Sequence, residues 1–404
     1  MRTLIRARGI VDGTGTGWRE GLSLLIDEER IVRLGLASEL RVEAQRELDF
    51  SNCTLVPGFV DAHTHITIRP GEGNQHGQLA APPVWQAIRA VKNIRQMLQS
   101  GVTTIRVMTE KHRIDVEFKD AIERREMVGP RMRVSTVGLT ATNGHAPSLP
   151  SVDGPDDLRK AVRRNLRAGA DLIKIFCTGG VSSTFGMPIT ASSYSREEIR
   201  AVVEEAHRAG KPVASHAHGG EGVTLCVEEG VDSIEHGALL TEENIEKMAA
   251  RNTWLVLTNA ILFHPSGIER GDAHQPAIMS KVLQAREAME STFERVKEAG
   301  IRFAVGTDSM HGLIGYEMEW LVKHGITPEQ AIVAATRNGA QVLGLADQVG
   351  TLEPGKRADF VVLNGNPLKD IKAVYRVAAV FKDGQMVVPD QPDQQVYQRV
   401  KEEI

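Results

Sequence analysis

The sequence predicts an α/β fold: a (β/α)8 TIM barrel with a small β-sandwich domain built from both chain termini. Three observations predict it. From about residue 54 onward, short β-branched runs alternate with longer amphipathic stretches, as a parallel sheet with crossover helices requires. Eight such runs occur, and eight β/α units in roughly 250–290 residues is the size of a closed barrel. Both chain ends instead carry short alternating runs separated by Gly, Asp and Pro turns, each end too small to hold a core alone.

The elements follow in chain order. Residues 1–56 supply runs at 4–7, 22–26 and 31–34 as the first part of the sandwich. The barrel is expected over 57–346, with strands at 55–65, 103–108, 131–137, 171–176, 212–216, 232–236, 253–257 and 302–308. Helices are expected at 155–168, 195–209, 241–251 and 281–299. Several open on Ser, Thr or Asp with Glu three residues on, and Gly169, Gly210 and Gly300 follow three of them. A right-handed crossover at every step closes the sheet. Residues 347–404 bring runs at 359–363, 377–382 and 386–388 as the second part of the sandwich, because barrel termini lie near each other and strands need partners. Residues 391–404 read as a polar tail or a final helix.

Composition narrows the function classes. With 404 residues, 41% hydrophobic and 25% charged, the chain is globular in composition, and no run approaches the 18 or so apolar residues of a membrane helix. The N-terminus has early arginines without an apolar stretch behind them, which predicts a cytoplasmic protein. Cys53, Cys177 and Cys226 are odd in number and widely spaced, which fits reduced thiols. A net charge of -4 without a basic run points away from nucleic acid and membrane, and toward a small-molecule partner.

The chemistry-bearing residues sit at strand ends. In Asp61-Ala62-His63-Thr64-His65 side chains alternate, so His63 and His65 point the same way, about 7 Å apart along the backbone, which is metal-ligand spacing. Lys174 lies in the fourth run, His216-Ala217-His218 ends the fifth, Glu235-His236-Gly237 the sixth, and Gly306-Thr307-Asp308 the eighth. All fall at or near C-terminal strand ends, the face on which barrels build active sites. His76, His112, His207 and His324 carry no such pattern. Lys174, between isoleucines on a central strand, would place an ammonium in a site meant for cations, which desolvation and repulsion both oppose. A neutral amine that takes up carbon dioxide becomes a carbamate anion able to bridge two cations, so two metals are expected.

Val56-Pro57-Gly58-Phe59-Val60-Asp61-Ala62-His63-Thr64-His65, Lys174, His216, Glu235-His236-Gly237, Gly306-Thr307-Asp308 and the closing Gly350-Thr351-Leu352-Glu353-Pro354-Gly355-Lys356-Arg357-Ala358-Asp359 resemble the amidohydrolase superfamily across nearly the whole chain. Within it the sequence is most similar to the imidazolonepropionase-like group that includes prolidase-type dipeptidases. The resemblance implies that His63, His65 and Asp308 hold the more buried metal, that His216 and His236 hold the second, and that carboxylated Lys174 bridges them. It also implies the sandwich and a homo-oligomer. His216 and His218 share a strand face and both can approach metal; the family register favours His216 and leaves His218 to orient ligands or meet substrate. Many relatives read Arg-Asp-x-Gly-Gly after the second strand, whereas this chain reads Arg106-Val107-Met108-Thr109-Glu110, a loop expected to face the pocket.

The expected reaction is hydrolysis of an amide-type C–N bond in a small molecule such as a dipeptide or N-acyl amino acid. Two divalent cations, zinc first, would lower the pKa of a shared water from about 15.7 toward 7. Asp308 would take the proton and return it to the leaving nitrogen. His145 and Tyr194 occupy positions that bind substrate in the resembling dipeptidases, and residues 262–276, with His264, Arg270 and His274, are expected as a lid. The alternatives are a mononuclear deaminase, which needs no Lys174, and a cyclic amide, urea or carbamate hydrolase on the same fold.

Overall fold

The computed structural model describes residues 1–183 and 188–389; the tail expected at 391–404 lies outside the described residues. The N-terminal strands are β1 (Arg2–Val11), β2 (Trp18–Glu20), β3 (Leu22–Asp27), β4 (Arg30–Leu36) and β5 (Arg46–Pro57). Then come β6 (Phe59–Thr64), β7 (Val102–Val107), β8 (Arg131–Val134), β9 (Ile173–Phe176), β10 (Val213–Ala217), β11 (Ser233–His236), β12 (Trp254–Leu257) and β13 (Phe303–Val305). The chain closes with β14 (Phe360–Leu363), β15 (Val377–Lys382) and β16 (Gln385–Val388).

The eight runs of the alternating region become β6 to β13. β6, β7 and β8 form one parallel sheet, and β9 to β13 form another in sequence order. Hydrogen bonds continue across both seams. Leu139 N–H donates to Lys174 O at 2.8 Å and Phe176 N–H to Leu139 O at 2.9 Å, while Asp308 N–H reaches His63 O at 2.8 Å. The strands are buried along their length, as sheets covered by helices must be.

The run expected at 55–65 as one strand is two. Its apolar character is unbroken, but the chain changes sheets at Gly58, where a Cβ would come within 2.1 Å of Thr103 Oγ1. Gly58 N–H still serves the terminal sheet through Asp359 O, and Phe59 N–H already serves the next through Gly101 O. The helices keep their expected positions: Arg196–Arg208 and Glu242–Arg251 start on capping boxes at Ser195 and Thr241. The helix expected from 281 begins earlier, at Pro276, whose fixed φ suits the first helical position.

Both chain ends meet in one sheet of order β16-β15-β14-β5-β1-β3-β4, with β2 on β1; the joining pair is β5 with β14, antiparallel. A sandwich implies two separately bonded layers, and here a single ladder curls over one core. β1 and β5 are long, their pairing shifts register between Ala7 and Gly9, and bulged long strands bend. The curl carries β4 round to the approach to β14, where Ile31 N–H donates to Lys356 O and Gly355 N–H to Ile31 O. Ile5, Leu24, Ile31, Leu55, Phe360 and Phe381 share the enclosed core, with the Phe360 and Phe381 rings stacked at 4.3 Å. The three cysteines are buried and unpaired by disulfides. No helix among the described residues is long and apolar enough to cross a membrane.

Candidate metal centre

Asp61, two residues before His63, organises the first half of the site. Its carboxylate accepts from Thr307 N–H at 2.9 Å, the Thr307 hydroxyl at 2.5 Å and His63 N–H at 3.2 Å, tying the end of β6 to the turn after β13. That turn delivers Asp308, whose Oδ1 stands 3.6 Å from His63 Nε2 and 3.4 Å from His65 Nε2. The donor atoms of His63, His65 and Asp308 all lie within 4.8 Å of one another. Asp308 (φ 45) and His236 (φ 75) hold left-handed backbone at their strand ends, a conformation costing about 1–2 kcal/mol for a side-chain-bearing residue and tolerated where surroundings fix it.

Each imidazole holds a hydrogen bond on one ring nitrogen. His63 Nδ1–H donates to Glu235 at 2.8 Å and His65 Nδ1–H to Thr109 O at 3.2 Å, so both present Nε2 to Asp308. His216 Nε2–H donates to Gly179 O at 3.3 Å, freeing Nδ1, while His236 Nδ1 lies 2.7 Å from Thr258 Oγ1 and 4.0 Å from Asp308 Oδ2. The rings of His236 and His63 are 4.8 Å apart, and those of His236 and His216 4.6 Å. Lys174 is 0% exposed, lines the same cavity as these rings, and its Nζ has no hydrogen-bond partner among the described residues. His63, His65, Lys174, His216, His236 and Asp308 thus line one cavity, together with His145 and His218. Both nitrogens of buried His218 lack partners.

The charges are set by burial and by neighbours. Burial pushes the Lys174 ammonium down to about 8, although Glu235 and Asp308 pull it upward. Burial would raise Glu235, but Arg106 and then His63 and Lys174 hold it down at about 2. Asp308 is likewise held at about 2 against burial by its contacts with His65 and His63 and by the Lys174 ammonium. Burial keeps His63 neutral, at about 4, and His145, His216 and His236 well below the ordinary histidine range. Two ionised carboxylates among neutral imidazoles suit a cation.

Several contributors escape sequence reading. Arg106 lies beneath the site and donates to Glu235 at 2.8 and 2.9 Å, to Ala62 O at 2.6 Å and to Ser233 at 3.1 Å. The Arg106–Glu235 pair therefore sets the tautomer of His63 from below. Its only sequence signal is an arginine and a glutamate inside apolar strands. Glu235→Gln is expected to keep the fold and weaken divalent-cation affinity about 10- to 100-fold, measured by titration of metal-stripped protein; unchanged affinity would show that the ring needs no anchor. His76, which carries no pattern in sequence, lines the cavity and meets Ser183 Oγ at 3.2 Å, and the same hydroxyl meets His145 Nδ1 at 2.7 Å. Gly180 is required there, since a Cβ would come within 2.3 Å of the His145 ring.

Two expectations need correction. The loop after β7 does not face the pocket as a unit: Thr109 lines it, but Glu110 turns inward to accept from Ile66 N–H, Thr67 N–H and the Thr67 hydroxyl. Tyr194 is buried away from the described cavity lining and donates its hydroxyl to Val152 O at 3.1 Å. The segment expected as a lid forms helices Asn259–Phe263 and Ile268–Asp272, and the second packs on the turn Pro70–Glu72. Its Ile261, Leu262 and Ile268 line the cavity, whereas His264 turns onto Tyr316 and Ser266.

Comparisons with known proteins agree with this geometry. The model described as "Amidohydrolase family" matches residues 54–387. An ochratoxinase of Aspergillus niger is 28% identical over 421 residues, covering 95% of this chain and 86% of the relative. An imidazolonepropionase of Geobacillus kaustophilus is 25% identical, covering 92% and 91%. The crystal structure of a Xaa-Pro dipeptidase with bound methionine in its active site superposes with a TM-score of 0.88 at 31% identity, covering 96% of this chain and 99% of the other.

Proposed function

The chain belongs to the amidohydrolase family and is a hydrolase of amide-type C–N bonds; from that premise we propose a binuclear, metal-dependent hydrolysis of a small-molecule amide. His63, His65 and Asp308 would hold one divalent cation, His216 and His236 a second, and the carbamate of Lys174 would bridge the two. The observation that supports this reading is the Lys174 amine, fully buried, without a hydrogen-bond partner among the described residues, and lining one cavity with His63, His65, His216, His236 and Asp308. The cations supply Lewis acidity, polarising the carbonyl and bringing the pKa of a water molecule from about 15.7 toward 7.

The chain's own residues then manage the proton. Asp308, ionised at neutral pH, accepts it as the water oxygen bonds to the carbonyl carbon. It returns the proton to nitrogen as the C–N bond breaks, giving a carboxylic acid and an amine. His145, anchored through Nδ1 on Ser183, offers Nε2 to the carbonyl oxygen, and His218 contacts the substrate beside it. No substrate role is proposed for Tyr194. The eight parallel strands and their two hydrogen-bonded seams support one closed (β/α)8 barrel over about 57–346, with strands from 1–56 and from the described part of 347–404 sharing the terminal sheet.

Elemental analysis of native protein should return about two divalent ions per chain, zinc foremost, and chelation should abolish cleavage of an amide panel. A single ion with release of ammonia from an exocyclic amine would replace this reading by a mononuclear deaminase.

A further inference from the structure

We infer that the substrate of this site is an uncharged amide with apolar groups beside the scissile bond, rather than a peptide or N-acyl amino acid bearing a free carboxylate there. The inference rests on the amide-hydrolase reading and narrows it. Two sets of apolar side chains line the cavity. Ile68, Leu79 and Phe176 belong to a small hydrophobic cluster separate from the main core. Ile261, Leu262 and Ile268 come from the helices after β12. Among the described lining residues only Lys174 and Asp308 carry charge, and both belong to the metal centre. Residues 184–187 read Thr-Phe-Gly-Met in the sequence and add none.

The cations on the elements that flank the cavity stand outside its lining and hold hydrogen bonds of their own. Arg69 donates to Asn93 at 2.7 Å and pairs with Glu72 at 3.3 Å, leaving Nη2 without a hydrogen bond among the described residues, and Arg89 donates to Thr67 O at 3.1 Å and Gln78 at 2.7 Å. Lys281 donates to Ser183 O at 2.9 Å, and Arg286 to Leu262 O at 2.6 Å while paired with Glu269. In a dipeptide or N-acyl amino acid the carboxylate sits one carbon from the scissile nitrogen, so it must enter with the bond to be cleaved. Here it would shed water against isoleucine, leucine and phenylalanine, and no cationic side chain outside the metal centre lines the cavity to receive it. An uncharged flank loses nothing comparable and gains the apolar contact.

A matched pair tests this on the metal-loaded full chain: benzoyl-L-phenylalanine and its N-methylamide, which share the benzoyl amide bond. The neutral member is expected to show a kcat/KM at least about tenfold higher. Equal or faster cleavage of the acid overturns the inference, and loss of that advantage in Lys281→Met would identify Lys281 as the carboxylate's partner. Should neither be cleaved, the hydrolytic reading fails for this bond type, and calorimetric Kd values still decide the specificity: tighter binding of the neutral member upholds it, tighter binding of the acid overturns it.

Discussion

Lys174→Ala is expected to reduce bound divalent cation from about two per chain to one or fewer and to cut amide hydrolysis by roughly 10³-fold. The side chain is wholly buried and its amine has no partner, so the substitution leaves no orphaned hydrogen bond. The cost to the fold is a cavity, about 2–5 kcal/mol for a long buried side chain, which circular dichroism and thermal unfolding would register separately. On the proposed binuclear reading, what disappears is the group that would supply the bridging anion to the cations held by His63 and His65 and by His216 and His236. A short carboxylic acid such as propionate, added at high concentration, should enter that cavity and restore part of both metal content and turnover. A structural lysine would show neither the metal loss nor the rescue, and an unchanged single cation in both forms would favour the deaminase.

How much of this was legible in the sequence depends on whether the determining contact is local. His63 and His65 announce themselves because a two-residue period places both on one strand face, and His236 and Asp308 because each closes a β-branched run. The left-handed backbone at these two ends was not visible, since neither position is glycine. Glu235 was legible only as a neighbour of His236; its pairing with His63, 172 residues away, follows from how β6 and β11 are brought together. His76 lies outside every strand, in the helix Gln75–Ala80, and reaches the cavity only because that helix packs over the pocket. The alternating ends of the chain predicted that the termini pair, which they do, but not that β1 and β5 would carry one curled ladder, because length and register shift decide that. Tyr194 was misleading for a related reason: resemblance placed it by position, and its hydroxyl is taken by Val152 O.

Asp308→Asn isolates the proton-handling step from the fold. The position holds left-handed backbone at φ 45, which asparagine tolerates better than most residues, and the amide nitrogen can donate to a neighbouring imidazole Nε2. What it lacks is the negative charge and the ability to take a proton. His63 and His65 would retain their Nδ1 anchors on Glu235 and Thr109 O, so a cation should still bind, about 10- to 100-fold more weakly. Assayed with enough metal to refill the site, turnover is expected to fall by about 10³- to 10⁴-fold. The matching readout is the amine product: a better leaving group, such as a nitroanilide, needs less protonation of nitrogen and should lose less in Asp308→Asn than an alkyl amide does. Equal losses on both substrates would confine Asp308 to activating water, and near-normal turnover in the metal-loaded variant would remove it from the proton path altogether.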